Sequence, residues 1–237
     1  MFYELAHLIK KRFGFVWDFI EWANSELFAL FYKNRLQDCE KIINDGVEMP
    51  FQIRLVREND IEELSQFFLN QPDEAFTYFR PHGFDRDSLL KIVHNHSFLA
   101  YVLIETSGDT ETVIGYCFLR SFINGSSYRG YMVDYRNRGR GLAKIMGAAL
   151  NRVGDYLGLS MYKSISPNNP ASLKATQAVC NVEVIKKLKN GDELLKCMSK
   201  KAVLPNVNGG GTDDSFPRII LKFHEVLEPQ FFYSYAA

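Results

Sequence analysis

The chain has 237 residues, 46% of them hydrophobic and 24% charged, which is the composition of an ordinary soluble globular protein with room for one substantial core and an appendage. Its 28 basic and 28 acidic side chains cancel, so the balance of charge argues against a nucleic-acid or polyanion partner. Four cysteines, Cys39, Cys117, Cys180 and Cys197, lie far apart without a Cys-x-x-Cys pair, and read as reduced core thiols of a cytoplasmic protein, with neither a metal site nor a disulfide framework.

Charges interrupt residues 1–45 too often for a secretory core or a membrane span. The segment is rich in aromatics, and Phe13, Val16, Trp17, Ile20, Ala23, Leu27, Leu30 and Phe31 keep helical spacing. This predicts one long amphipathic helix, or two broken near Gly14. Packing on the main domain or on a second subunit, as in a homodimer, is one role for it. Peripheral membrane contact is the other, favoured by Trp17, Trp22 and Lys10-Lys11-Arg12 and opposed by the acidic residues that follow.

The pattern changes after Gly46 and Pro50, which predicts a helical extension over 1–46, a main domain over 47–200, and a linker with a docking tail over 201–237. Residues 51–56 alternate as a strand, and Asn59 or Asp60 can cap a helix carrying Ile61, Leu64, Phe67 and Phe68. A loop over 70–85 holds Phe76, Tyr78, Phe79, Arg80, Pro81 and His82, an aromatic and polar mixture suited to a pocket wall. Asp85 can cap a helix over 86–95. Strands follow over 98–106, 113–122 and 127–135. Arg136-Asn137-Arg138-Gly139-Arg140-Gly141-Leu142-Ala143 then leads into a helix over 144–157. A strand, a glycine loop and a helix start make an anion site, because the first helical turn presents free N–H groups and the positive end of the macrodipole. Residues 161–165 read as a strand, Pro170 opens another helix, and Asn190-Gly191 joins a final hairpin over 182–188 and 194–198.

This order, with Val133 three positions before Arg136-x-x-Gly139-x-Gly141 and with Asn169-Pro170-Ala171-Ser172-Leu173 opening the next helix, resembles the GNAT superfamily of acetyl-CoA-dependent N-acetyltransferases. The segment Ile53-Arg54-Leu55-Val56-Arg57-Glu58-Asn59-Asp60-Ile61 is similar to the family's first strand and helix, and the resemblance spans residues 51–198. It implies an α/β fold, a mixed and partly splayed central sheet flanked by helices, with the N-terminal extension and C-terminal tail outside it. It also implies acetyl-CoA as cosubstrate, without a metal. Its pyrophosphate would lie on the backbone of Arg138, Gly139, Arg140, Gly141, Leu142 and Ala143. Its pantetheine arm would slip between two diverging parallel strands, pair near Met132 and Val133, and touch Asn169. A primary amine then attacks the thioester directly.

The acid and base are less clearly marked. Where the family often carries an acidic tyrosine on the helix after the Asn segment, this chain has Thr176; where a carboxylate base often stands, it has Tyr128. His82, in the aromatic loop, titrates in the useful range. Asp134 reads as a turn cap, His94 and His96 as solvated capping residues, and Glu105 as exposed near a strand end. The aromatic loop suggests a small-molecule amine as acceptor, with a nucleotide-linked amino sugar preferred. A protein or peptide amine, or a non-catalytic CoA-binding scaffold, are the alternatives.

Overall fold

The computed structural model describes residues 14–200. The expectations for Phe13 and the segment before it, and for the linker and tail over 201–237, lie outside the described residues. The elements run α1 (Gly14–Leu36), α2 (Cys39–Asn44), β1 (Phe51–Leu55), α3 (Ile61–Leu69), α4 (Arg86–Val93), β2 (Phe98–Ser107), β3 (Thr110–Ser121), β4 (Ser126–Val133), α5 (Leu142–Leu157), β5 (Ser160–Ile165), α6 (Pro170–Val179), β6 (Cys180–Lys187) and β7 (Glu193–Ser199), with short 3₁₀ turns at Glu58–Asp60, Asp73–Phe76 and Tyr135–Asn137.

The seven strands form one sheet in the order β1-β2-β3-β4-β5-β7-β6. Every neighbouring pair is antiparallel except β4 and β5, which are parallel. That pair is joined over three residue pairs only: Ser126 with Ser160, Ser127 with Met161, and Tyr128 with Tyr162. Beyond Tyr128, β4 stays paired to β3 as far as Val133. Beyond Tyr162, β5 stays paired to β7 as far as Ile165. Each strand therefore keeps its outer partner while the two inner edges part, and the sheet opens down its middle.

Both faces of the sheet are covered, which explains why β2 is apolar at nearly every position rather than alternating. Tyr101 and Leu103 of β2 face α2 and α5, packing with Ile43, Met146 and Leu150. Ala100, Val102 and Ile104 face α3 and α4, packing with Leu64, Phe68 and Leu89. The edge strand β1 is closed by a side chain: Asn44 Oδ1 accepts from the Ile53 N–H at 2.8 Å while its amide donates to the Ile53 carbonyl.

Helix α1 runs unbroken over Gly14–Leu36, and the face it turns to the domain includes only part of the expected stripe. Ile20 and Leu27 are exposed at 42% and 39%, whereas Trp17, Ser25, Phe28 and Tyr32 are buried. The reason is polar. Asn24 donates to Ser97 Oγ (2.8 Å) and to the Ser121 carbonyl (3.1 Å), and accepts from the Ile123 N–H (3.2 Å). Ser25 Oγ accepts from the His96 N–H, and Glu21 pairs with Arg120. These bonds decide which face meets the domain, because breaking them would strand buried donors and acceptors. Among the described residues, no helix is long and apolar enough to cross a membrane.

Candidate functional site

The parting of β4 and β5 makes a cleft of about 1200 Å³ that passes through the sheet. β4 contributes Arg129 to Val133, β5 contributes Lys163 to Ile165, and the glycine loop and the start of α5 form one mouth. The loop is shaped by two glycines: Gly139 and Gly141 both take φ of +81°, where a side chain is strained, and a Cβ on either would project into open space. Gly141 is the N-cap of α5, and its carbonyl accepts from the N–H groups of Lys144 (2.9 Å) and Ile145 (3.3 Å). The N–H groups of Leu142 and Ala143 precede the first intrahelical bonds and stand at the positive end of a 16-residue helix.

Asp134 holds this loop in place. Its carboxylate caps the 3₁₀ turn by accepting from the Arg136 N–H, and accepts from Asn137 Nδ2 at 2.8 Å and Gln71 Nε2 at 3.1 Å. Burial would raise its pKa, but the Asn137 and Gln71 hydrogen bonds outweigh that and hold it below the usual carboxylate range. A carboxylate so committed is a weak base, in keeping with its reading as a turn cap.

Of the residues expected at the cofactor, Met132, Val133, Arg138, Gly139, Gly141, Leu142, Ala143 and Asn169 line the cleft. Asn169 caps α6, its carbonyl oxygen accepting from the Ser172 N–H at 3.1 Å, which leaves the amide nitrogen as the donor on the cleft wall. Arg140 turns away: its guanidinium forms a two-pronged bond with Glu105, donates to Asn137 Oδ1 at 2.5 Å and lies over the Phe51 ring. The charged side chains of the wall are the bases Arg80, Arg129, Arg138, Lys144, Lys163 and Lys174 and the acids Glu74 and Asp192. A neutral chain thus concentrates positive charge at one cleft, a field that suits a phosphate-bearing ligand.

The three residues expected to act as acid or base stand outside the cleft wall. His82 is 6% exposed. Its Nδ1 is 2.6 Å from the Gly83 carbonyl, which can only accept, so Nδ1 carries the hydrogen and Nε2 accepts from the Tyr116 hydroxyl at 2.8 Å. Rings of Phe68, Phe84, Phe98 and Phe118 surround it, and burial pushes its pKa down to about 4. It joins the aromatic loop to the sheet and has no free nitrogen for a substrate. Tyr128 is 4% exposed and packs against Phe122, Tyr162, Leu188 and Leu194, at the part of β4 still closed by β5. Thr176 is buried on α6, donating to the Ser172 carbonyl at 2.8 Å.

The spacing did not bring out Tyr131 and Lys163. Tyr131 lies on β4 and its hydroxyl is 3.1 Å from Thr176 Oγ1. Lys163 lies on β5, donates to the same oxygen at 3.3 Å, and sits 3.6 Å from the Tyr131 ring centroid. Both line the cleft. Burial lowers the Lys163 pKa against the pull of Tyr131. Burial would raise that of Tyr131, but Lys163, Thr176 and Arg129 together bring it below the ordinary phenol value. Arg129 beside them is 1% exposed and bonds to neutral groups, the Gly147 carbonyl at 2.6 Å and Asn151 Oδ1.

No protein-family model matches the sequence, and no curated protein matches it. Solved structures do. A ribosomal L7/L12 α-N-protein acetyltransferase is 16% identical over 65% of this chain and 92% of its own, with a TM-score of 0.54. The ribosomal-protein-S5-alanine acetyltransferase from Vibrio fischeri is 16% identical over 65% of this chain and 96% of its own, at 0.53. A domain from Methanocaldococcus jannaschii is 14% identical over 62% and 96%, at 0.50. At such identities the likeness is one of architecture. This chain has the GNAT acetyltransferase fold.

Proposed function

We propose that the protein transfers an acetyl group from acetyl-CoA to a primary amine by direct attack. The observation that carries this reading is the break between β4 and β5 after Tyr128 and Tyr162, with the α5 N-terminus at its mouth. Acetyl-CoA fits what the cleft offers. Its phosphates would meet the N–H groups of Gly139 to Ala143 with Arg138 and Lys144, at a helix start that favours anions. Its pantetheine amides find unpaired backbone edges at Met132 and Val133 and the amide of Asn169. The thioester then lies within the sheet, where water is scarce and fixed dipoles can meet the developing oxyanion.

The acceptor enters from the other face, past the aromatic loop. Glu74, Tyr78, Phe79 and Arg80 line that side together with Phe118. Glu74 attracts an ammonium ion, Tyr78, exposed at 51%, offers an aromatic plane, and Arg80 on the same side offers a guanidinium. A base, a phosphate and an amine in one molecule would use all three, which supports a nucleotide-linked amino sugar as acceptor.

The test is release of free CoA thiol from acetyl-CoA with a nucleotide-linked amino sugar, spermidine, an aminoglycoside and peptides with free N-termini. Release with the sugar supports both donor and acceptor. Release with a peptide alone moves the acceptor to a protein amine. Acetyl-CoA binding without release from any amine would leave a CoA-binding scaffold and overturn acetyl transfer. Gly141→Val should weaken acetyl-CoA binding by calorimetry about tenfold or more, since its side chain would stand where the pyrophosphate is placed, a loss of roughly 1.4 kcal/mol or more. Unchanged affinity in a folded variant would remove the pyrophosphate from this loop.

A further inference from the structure

The face of α1 turned away from the domain is apolar. At about 100° per residue, Trp22, Phe19, Leu30, Ala23, Leu27 and Ile20 fall within an arc of about 160°, opposite the buried Trp17, Ser25, Phe28 and Tyr32. Phe19, Trp22 and Leu30 are 61%, 58% and 69% exposed, and the Phe19 and Trp22 rings lie 5.6 Å apart. An arc of large apolar side chains this long marks a contact surface rather than scattered exposure. We propose that it docks on an anionic lipid bilayer, with α1 lying in the plane of the interface and Phe19, Trp22, Leu27 and Leu30 entering the layer.

Charge points to this occupant. The chain as a whole is neutral, yet residues 10–36 hold the five bases Lys10, Lys11, Arg12, Lys33 and Arg35 against the three acids Asp18, Glu21 and Glu26. Glu21 is already paired with Arg120 of the domain. The bases stand at the two ends of the apolar stretch, Lys10-Lys11-Arg12 just before α1 in the chain and Lys33 and Arg35 in its last turn. Long basic side chains at both ends of a helix lying flat reach anionic headgroups, while the aromatic and aliphatic side chains between them are drawn into the layer. Asp18 and Glu26 fall toward the Trp22 edge of the arc, where a carboxylate at headgroup depth keeps its water.

Two protein occupants cover the arc less well. α1 has 23 residues, about 34 Å in length and about 10 Å across, so two copies meeting on it would bury roughly 700 Å², under half of the roughly 1,600 Å² of a stable interface. In the chain's own C-terminal segment, the apolar run from Ile219 to Leu227 stops at Pro229, and a helix over 218–228 would be only about 16 Å long. A bilayer meets the whole arc.

The experiment uses the full chain and vesicles of phosphatidylcholine, with and without phosphatidylglycerol. The chain should float with the mixed vesicles and bind them about tenfold or more tightly than phosphatidylcholine alone, because basic residues add attraction at an anionic surface. The chain has two tryptophans and Trp17 is buried, so a blue shift of the emission on binding reports Trp22. Lipids brominated on the acyl chain should quench it. Trp22→Phe should keep the binding and lose the shift. Phe19→Ser combined with Leu30→Ser should weaken vesicle binding about tenfold or more, since both side chains leave the layer, while Tm stays near that of wild type.

A chain that floats with neither vesicle, a Trp22 emission unmoved by lipid, or undiminished binding by the double variant would overturn the proposal. Equal binding to both vesicles would overturn the anionic headgroup as its ligand. A full-chain dimer that the double variant splits would assign the face to a second copy. Vesicle binding that appears only once residues 201–237 are removed would assign it to that segment. Either result overturns the bilayer as occupant. None of the α1 residues lines the cleft, so thiol release from acetyl-CoA is a separate measurement and its failure would leave this proposal standing.

Discussion

His82 sits among phenyl rings with both nitrogens engaged, and its pKa is pushed down to about 4 by burial. The folded chain then binds no proton there above about pH 4, whereas the unfolded chain binds one below about 6.5, so stability falls as pH drops through that window. The full effect, reached near pH 4, is about 3 kcal/mol. Urea unfolding of wild type and His82→Gln between pH 7 and 4 should show the wild type losing about that much more than the variant. Equal acid slopes would show that the imidazole is charged when folded. The same residue illustrates what sequence hides: a histidine in an aromatic loop reads as a base until the fold reveals that the loop closes over it. Arg140 teaches a related lesson, since its motif position points to phosphate while Glu105, 35 residues earlier, takes its guanidinium. Arg138→Ala should accordingly cost more acetyl-CoA affinity than Arg140→Ala, as read by calorimetry.

Along the elements, helical periodicity announced α1 but not the face that meets the domain, which takes in Trp17 of the apolar stripe and leaves Ile20 and Leu27 exposed while Asn24 is engaged. Asn24 satisfies groups of Ser97, Ser121 and Ile123, which lie 73 to 99 residues away. Asn24→Ala should lower the unfolding free energy by about 2 kcal/mol, since it strands buried partners. For a domain of this size that shifts Tm by about 4–8 °C. Ile20→Ser, on the stripe that sequence favours, should change stability by less than about 0.5 kcal/mol. The reverse ranking in thermal unfolding would restore the apolar stripe as the docking face. The glycine loop, by contrast, was legible from residues alone: the need for φ of +81° at Gly139 and Gly141, and the helix start after them, are local properties.

For the molecule as a whole, the cleft opens where β4 and β5 part beyond Tyr128 and Tyr162 while each keeps its outer partner. A ligand spanning it joins the two halves of the sheet. Acetyl-CoA at about 100 times its Kd should therefore stabilise the chain by about 2.7 kcal/mol, and Tm should rise by about 5–10 °C. A tenfold loss of affinity in Gly141→Val should cut this to about 1.4 kcal/mol and roughly halve the rise at the same concentration. An undiminished rise in that variant would place the ligand elsewhere. Sequence by itself determined the order of elements and the glycine loop with the helix start behind it, since each follows from backbone conformation and neighbours within a few positions. It could not determine that Tyr131, Lys163 and Thr176 meet, or that His82 and Tyr128 lie outside the cleft wall. Strand alternation fixes which residues share a face, but only the packing of α5 and α6 on one side and the aromatic loop on the other decides what each face becomes.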